Sequence, residues 1–179
     1  MSLLVNRYAE ALLDATLEEN CLEEVYAEFS ELDRNLKADP EFNRLVTGDL
    51  LSLKEKEELL TKVFADGDPY FRGFLVMLSE RAHLDEVRDI FHAFEELYKK
   101  KKNILDAEIV TAVPLTDPLR EKLTAGLTAK YKKNIVLHEK VDPSLIGGAV
   151  LYVENQMLDA SLKSGFDGLR EHLKQTSLK

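Results

Sequence analysis

The spacing of apolar residues changes once along this 179-residue chain, and that change limits the folds the chain can adopt. Before Asn103 apolar residues recur every three or four positions, which is the period of amphipathic helices. After it they alternate with Asp106 and Glu108, which is the spacing of a strand. The sequence therefore predicts an α+β protein with a helical bundle over residues 1–102 and a small α/β domain over residues 103–179.

About six helices are predicted in the first domain from apolar stripes and start signals. Their starts pair an N-cap side chain with a first-turn proline, or with a glutamate three residues later. These signals are Asp39-Pro40, Ser52 with Glu55, and Asp68-Pro69. The last helix ends in the basic run Lys99–Lys102, where positive charge interacts favourably with the helix dipole.

The first and fifth predicted helices have more apolar surface than one core contact requires. On the first helix the apolar arc covers roughly 200°, whereas about 100° is enough to face a core. The helix over Tyr70–Ala82 is also apolar over more than one face. Two explanations remain open: these faces form an interaction site, or both helices are central and buried on all sides.

The second domain combines a short sheet with two helices. The ends of its strands and helices are indicated by breaker and cap residues. These are Pro114 after the first strand, Thr116-Asp117-Pro118 before a helix, Asp142-Pro143 and Gly147-Gly148 in a turn, and Ser161 at the start of a closing helix to about Lys174. The turn precedes a hairpin of two strands, Ala149–Val153 and Gln156–Asp159. The order of the strands in the sheet is left open.

The charge distribution argues against nucleic acid as a partner. The formal net charge is -9, and all of it falls on the first 105 residues. Such a surface repels phosphate backbones. No apolar run approaches the ~20 residues that span a bilayer, so we expect a soluble chain without direct membrane insertion. The lone Cys21 excludes an internal disulfide.

No pattern for catalysis, metal binding or nucleotide binding is present. The four histidines, which lack metal-ligand spacing, are His83, His92, His138 and His172. Gly147-Gly148 lacks the lysine of a phosphate loop and precedes a strand. Ser161 has Asp159 nearby but no histidine placed as a base. We therefore expect no catalytic residue, no cofactor, no metal and no small-molecule substrate.

Three sequence blocks carry a resemblance to a known family. Asn6–Leu12 resembles the opening Arg-Tyr-Ala-x-Ala-Leu of delta subunits of bacterial and chloroplast ATP synthases, relatives of the mitochondrial oligomycin-sensitivity-conferring protein. Val110–Leu115 resembles the family's strand ending in Ala-x-Pro-Leu. The most specific block is Val141–Gly148 followed by Leu158–Leu162. Two departures stand out. Ala160 occupies a position where the family often has glycine, and Gly165 and Gly168 fall inside the predicted closing helix, where each costs up to about 1 kcal/mol relative to alanine.

The resemblance implies a non-catalytic stator subunit on the cytoplasmic face of the bacterial plasma membrane. It implies that the helical domain holds N-terminal helices of alpha subunits of the catalytic head, and that the second domain holds the stalk of b subunits. The implied groove lies between the first and fifth helices and is assigned to Tyr8, Ala11, Leu12, Ala15, Phe71, Phe74, Leu75 and Leu78. The implied structural motif residues are Pro114, Asp142, Gly147, Gly148, Asp159 and Ser161.

Two other classes of function remain as alternatives. A free-standing helical-bundle adaptor or regulatory binding protein would share the amphipathic helices and would bind an unrelated partner. A small hydrolase or ligand-binding enzyme would show turnover by the isolated chain.

Overall fold

A computed structural model describes residues 2–145 and 147–160 of the chain. The chain divides into two compact units, Met1–Lys99 and Lys100–Lys179. The described part has seven α-helices and a four-stranded mixed sheet. The predicted α+β class is therefore confirmed. The predicted closing helix, with Ser161, lies outside the described residues.

The first unit is helical. Its elements are α1 (Leu3–Glu18), α2 (Leu22–Ala38), α3 (Pro40–Thr47), α4 (Leu53–Val63), α5 (Pro69–Glu80), a short 3-10 helix (Leu84–Glu86) and α6 (Val87–Lys101), whose last two residues belong to the second unit. The 3-10 turn leads directly into α6, since Val87 is both its C-cap and the first residue of α6.

The helix starts use the side chains that the sequence indicates. Asp39 accepts hydrogen bonds from two backbone N–H groups at 2.9 and 3.0 Å, and Asp68 does the same at 2.8 and 3.2 Å. Ser52 and Glu55 bond reciprocally in a capping box. Each cap contributes about 1 kcal/mol, since it satisfies N–H groups that have no partner within the helix.

An aromatic cluster centred on Phe29 of α2 forms the core of the helical unit. Its ring centroid lies 5.1 Å from that of Phe71 on α5 and 5.0 Å from that of Phe91 on α6. Phe74 and Phe94 lie at 6.1 and 6.0 Å. All five rings are buried, so this cluster joins α2, α5 and α6.

The second unit has the described order β1 (Ile104–Thr111), α7 (Asp117–Tyr131), β2 (Asn134–Val141), β3 (Ala149–Val153) and β4 (Gln156–Asp159). The strands lie in the order β2-β1-β3-β4. β1 is parallel to β2, which follows the crossover helix α7, and antiparallel to β3. A parallel pair requires such a crossover connection.

One face of this sheet packs against α7. The alternating side chains of β1 and β3 on that face surround Leu127 of α7 in a single core. The buried members are Leu105, Ala107, Ile109, Leu127, Leu151 and Val153. The period of two at the start of the second domain therefore reflects a strand whose alternate side chains pack against α7.

A fragment containing residues 1–102 is expected to fold alone, because the aromatic core described above lies wholly within it. Its far-ultraviolet circular dichroism should be strongly helical and should be lost in one cooperative thermal transition. A fragment that melts without a cooperative transition would place the domain boundary elsewhere.

Candidate functional site

Helices α1 and α5 lie side by side and antiparallel in the helical unit. Near the start of α1, the ring of Tyr8 lies 6.4 Å from that of Phe74 and 5.8 Å from that of His83, which follows the end of α5. At the opposite end, the hydroxyl of Tyr70 lies close to the carboxylate of Glu19, and this interaction raises the pKa of Tyr70. The two tyrosines thus mark the two ends of the seam between the helices.

Five of the eight groove residues assigned from the sequence point into the core. They are Leu12, Phe71, Phe74, Leu75 and Leu78, and the largest exposed fraction among them is 7%. The physical reason is that α5 is a central helix whose aromatic side chains pack on Phe29. These five side chains therefore pack beneath the seam and support the residues at its surface.

The other three assigned residues remain accessible. Ala11 is exposed, and Tyr8 and Ala15 are half-buried. They lie at spacings of three and four residues, so they share one stripe along α1. This stripe lies beside the buried stripe of the same helix, which explains why the apolar arc of α1 is wider than one core contact requires.

The outward stripe of α5 was missed by the sequence analysis. Tyr70 is 44% exposed, Met77 is half-buried, and a Cβ added to Gly73 would meet nothing within 4 Å. Residues 70, 73 and 77 follow helical spacing and lie outside the buried stripe of α5. This spacing is the sequence signal that could have identified them as a surface stripe.

We call these six residues the α1–α5 surface: Tyr8, Ala11, Ala15, Tyr70, Gly73 and Met77. Its middle consists of side chains no larger than a methyl group, at Ala11, Ala15 and Gly73. Glycine inside a helix lowers the stability of the folded state by roughly 0.5–1 kcal/mol relative to alanine. An exposed glycine here therefore leaves room for another backbone to approach closely.

Carboxylates border the α1–α5 surface. Glu10, Asp14 and Glu18 are exposed on α1, where Arg7 is the single basic residue. A ligand for this surface would therefore combine an apolar stripe with flanking positive charge.

The structural motif residues of the second unit lie at strand ends. Pro114 is exposed beyond β1, and Asp159 ends β4. Hydrogen bonds from the hydroxyl and backbone N–H of Ser144 lower the pKa of Asp142. Gly148 has φ of 84°, a backbone conformation that favours glycine, whereas Gly147 is half-buried in the same turn.

The described residues offer no arrangement for metal binding or for crossing a membrane. Within residues 2–145 and 147–160, no group of three His, Cys, Asp or Glu side chains is placed to hold a metal ion. No helix in this same part is both long and apolar enough to span a bilayer.

Comparisons with known proteins agree over nearly the whole chain. The family model described as ATP synthase delta (OSCP) subunit matches residues 4–173. ATP synthase subunit delta of Clostridioides difficile is 28% identical over 98% of both chains. That of Lactobacillus acidophilus is 33% identical over 93% of this chain and 92% of its own.

A solved structure is similar over the same extent. A chain in the cryo-EM structure of the Toxoplasma gondii mitochondrial ATP synthase hexamer superposes with a TM-score of 0.73 at 25% identity. The match covers 96% of this chain and 98% of that chain. The sequence blocks, the α+β fold and these matches together show that the chain belongs to the ATP synthase delta (OSCP) subunit family.

Proposed function

We propose that this chain is a peripheral-stalk subunit of a proton-translocating ATP synthase and that its α1–α5 surface binds the N-terminal helix of an alpha subunit. The observation that carries the proposal is the stripe of small and apolar side chains left exposed along the seam of α1 and α5. The chain's family membership supports the assignment to the synthase.

The α1–α5 surface has the features of helix-in-groove recognition, in which an amphipathic helix places its apolar face between two others. Ala11, Ala15 and Gly73 permit close approach of the backbones. Tyr8 and Tyr70 supply large contact area with a polar tip at each end. The exposed carboxylates of α1 would pair with basic residues that flank the apolar face of the incoming helix.

The second unit is proposed to hold the b-subunit stalk. On the sheet face opposite α7, Val136, Tyr152 and Met157 are more than 40% exposed. The register places Tyr152 directly beside Met157. Val136 lies on β2, and Asp106 and Glu108 of the central strand β1 lie between it and this pair. A small apolar patch bordered by charged side chains suits the side of an amphipathic helix.

The proposed role is mechanical, without an active site in this chain. A stator holds the catalytic head against the torque of the rotating shaft, so that rotation changes the nucleotide sites elsewhere instead of turning the head. We place the subunit on the cytoplasmic face of the bacterial plasma membrane, attached through its partners. This role requires stable packing and two binding surfaces.

The substitution Ala11→Glu is expected to weaken binding of an alpha-subunit N-terminal peptide at least tenfold, which is about 1.4 kcal/mol. The added side chain occupies the space of the incoming backbone. The fold should tolerate it, because Ala11 is exposed and the new carboxylate has Arg7 four residues before it as well as Asp14 three residues after it. Isothermal titration of the full-length chain with the peptide measures the affinity.

The matched control is Ala27→Glu, an exposed alanine inside α2 and outside the α1–α5 surface. It should bind the peptide like the unmodified chain. Circular dichroism should be the same for all three proteins. Unchanged affinity with Ala11→Glu, or equal weakening by Ala27→Glu, would show that the peptide binds elsewhere.

A further inference from the structure

Two tyrosines from different helices stack face to face in the helical unit. Tyr26 lies on α2 and Tyr98 on α6, with ring centroids 3.8 Å apart and an angle of 3° between the ring planes. Aromatic pairs in proteins usually keep their centroids about 4.5–7 Å apart, in offset or edge-to-face arrangements. These two phenols are therefore closer and more nearly parallel than an ordinary aromatic contact. We call Tyr26 and Tyr98 the tyrosine pair.

Reciprocal hydrogen bonds hold the tyrosine pair in place. The hydroxyl of Tyr98 donates to Oε2 of Glu23 on α2 at 2.6 Å, and the hydroxyl of Tyr26 donates to Oε1 of Glu95 on α6 at 3.3 Å. Each tyrosine thus bonds to the glutamate that lies three residues before the other tyrosine. As a result, each phenol faces a carboxylate that can accept its proton.

Both phenols keep their protons at neutral pH. Burial and the bond to Glu23 raise the pKa of Tyr98, and burial together with the charge of Glu95 raises the pKa of Tyr26. Removal of one electron from a neutral phenol makes its hydroxyl strongly acidic, so the proton leaves as well. Glu23 is exposed and Glu95 is half-buried, so these carboxylates can pass the protons to water.

Oxidation of both rings would place two phenoxyl radicals in contact. The unpaired electron of such a radical is shared between its oxygen and the ring carbons next to the C–O group. Two radicals combine by forming a bond between one such carbon of each ring, and the hydrogen on each bonded carbon then moves to the phenol oxygen through water. At a centroid distance of 3.8 Å, carbons of one ring lie within van der Waals contact of the other.

We propose that the tyrosine pair is an oxidative modification site, at which a diffusible one-electron oxidant forms an intramolecular dityrosine bond between α2 and α6. Two oxidant molecules each take one electron, as when nitrogen dioxide is reduced to nitrite, and two protons go to water. Tyr26 is half-buried, so a small radical can contact the edge of its ring. Tyr98 is 7% exposed and exchanges an electron with the stacked ring of Tyr26.

The dityrosine bond would strengthen the helical unit. It would join two helices that are far apart in the sequence, and a covalent link of this kind restricts the unfolded chain. Both tyrosines belong to the first unit. The site lies on α2 and α6, apart from the α1–α5 surface, and does not depend on the proposed function.

The proposal is tested by brief illumination of the full-length chain with a ruthenium tris-bipyridine photosensitiser and persulfate, which generate a one-electron oxidant. The chain is kept dilute so that contacts between molecules are rare. After proteolytic digestion, mass spectrometry should find the peptide of Tyr26 joined to the peptide of Tyr98, with two hydrogen atoms fewer than the sum. In denaturing urea this joined peptide should be lost, because only the fold brings the two rings together.

Two variants separate the tyrosine pair from general tyrosine oxidation. Tyr98→Phe keeps the ring but removes the phenol, so it should lose the joined peptide and the dityrosine fluorescence of the folded chain. Tyr152→Phe changes an exposed tyrosine of the second unit and should form the joined peptide like the unmodified chain. Circular dichroism checks that both variants are folded.

Three outcomes would overturn the proposal. They are absence of the joined peptide from the folded chain, an equal yield in urea, and dityrosine formed mainly between other tyrosines. If Tyr98→Phe fails to fold, the comparison of the folded and denatured unmodified chain decides alone.

Discussion

Membranes stripped of this subunit are expected to lose proton-driven ATP synthesis almost completely, while ATP hydrolysis by the catalytic head survives. The reason follows from the proposed stator role: without the clamp, the shaft and the head turn together, so torque no longer changes the nucleotide sites. Hydrolysis needs no clamp, since it takes place at nucleotide sites of the head. Both rates are measured on the same membranes before and after stripping.

Adding the purified chain back should restore synthesis. The Ala11→Glu variant should restore it poorly at concentrations where the Ala27→Glu control restores it fully. The stator role would be wrong if the detached head required this chain to hydrolyse ATP. It would also be wrong if the pure chain hydrolysed ATP, and a catalytic role would then have to be reconsidered.

Replacing Phe29 by alanine is expected to lower the free energy of unfolding of the helical unit by about 3–5 kcal/mol, the usual range for removing a buried phenylalanine. Phe29 is fully buried, and its ring contacts four other phenylalanines from α5 and α6. The cavity left behind would touch three helices at once. Chemical denaturation followed by helical circular dichroism measures the change.

The control for Phe29→Ala is Leu3→Ala, because Leu3 is 78% exposed. Its effect should stay within about 0.5 kcal/mol, as for most surface substitutions. A loss below about 1 kcal/mol for Phe29→Ala would mean that the aromatic cluster does not determine the stability of the helical unit.

The parts of the fold that sequence could predict are those fixed by neighbouring residues. The caps at Asp39, Ser52 and Asp68 involve atoms within three residues of each other, so their pattern is visible in the sequence. The change of period at Asn103 is equally local. Strand order was not predictable, because Leu105 pairs with Ile135 across an intervening helix, and nothing in either segment specifies that pairing.

Prediction of the candidate site from the sequence is limited in the same way, because it depends on contacts between distant segments. The sequence indicated that α1 and α5 have surplus apolar surface, but the period alone cannot tell which neighbour covers each stripe. Phe71 and Phe74 are covered because α2 supplies Phe29, which is about 40 residues away. Gly73 was not predicted to belong to the site, because a residue without a side chain does not contribute to an apolar pattern.

The central position of β1 in the sheet has a consequence for synthesis of the chain on the ribosome. Both edges of β1 are hydrogen-bonded in the finished sheet, to β2 on one side and to β3 on the other. Both partners follow β1 in the sequence, so β1 leaves the ribosome with every edge group unpaired. Unpaired strand edges are templates for association with other chains. In the interval between translation of β1 and translation of β3, the nascent subunit therefore presents an unpaired strand, which exposes it to aggregation and to capture by chaperones.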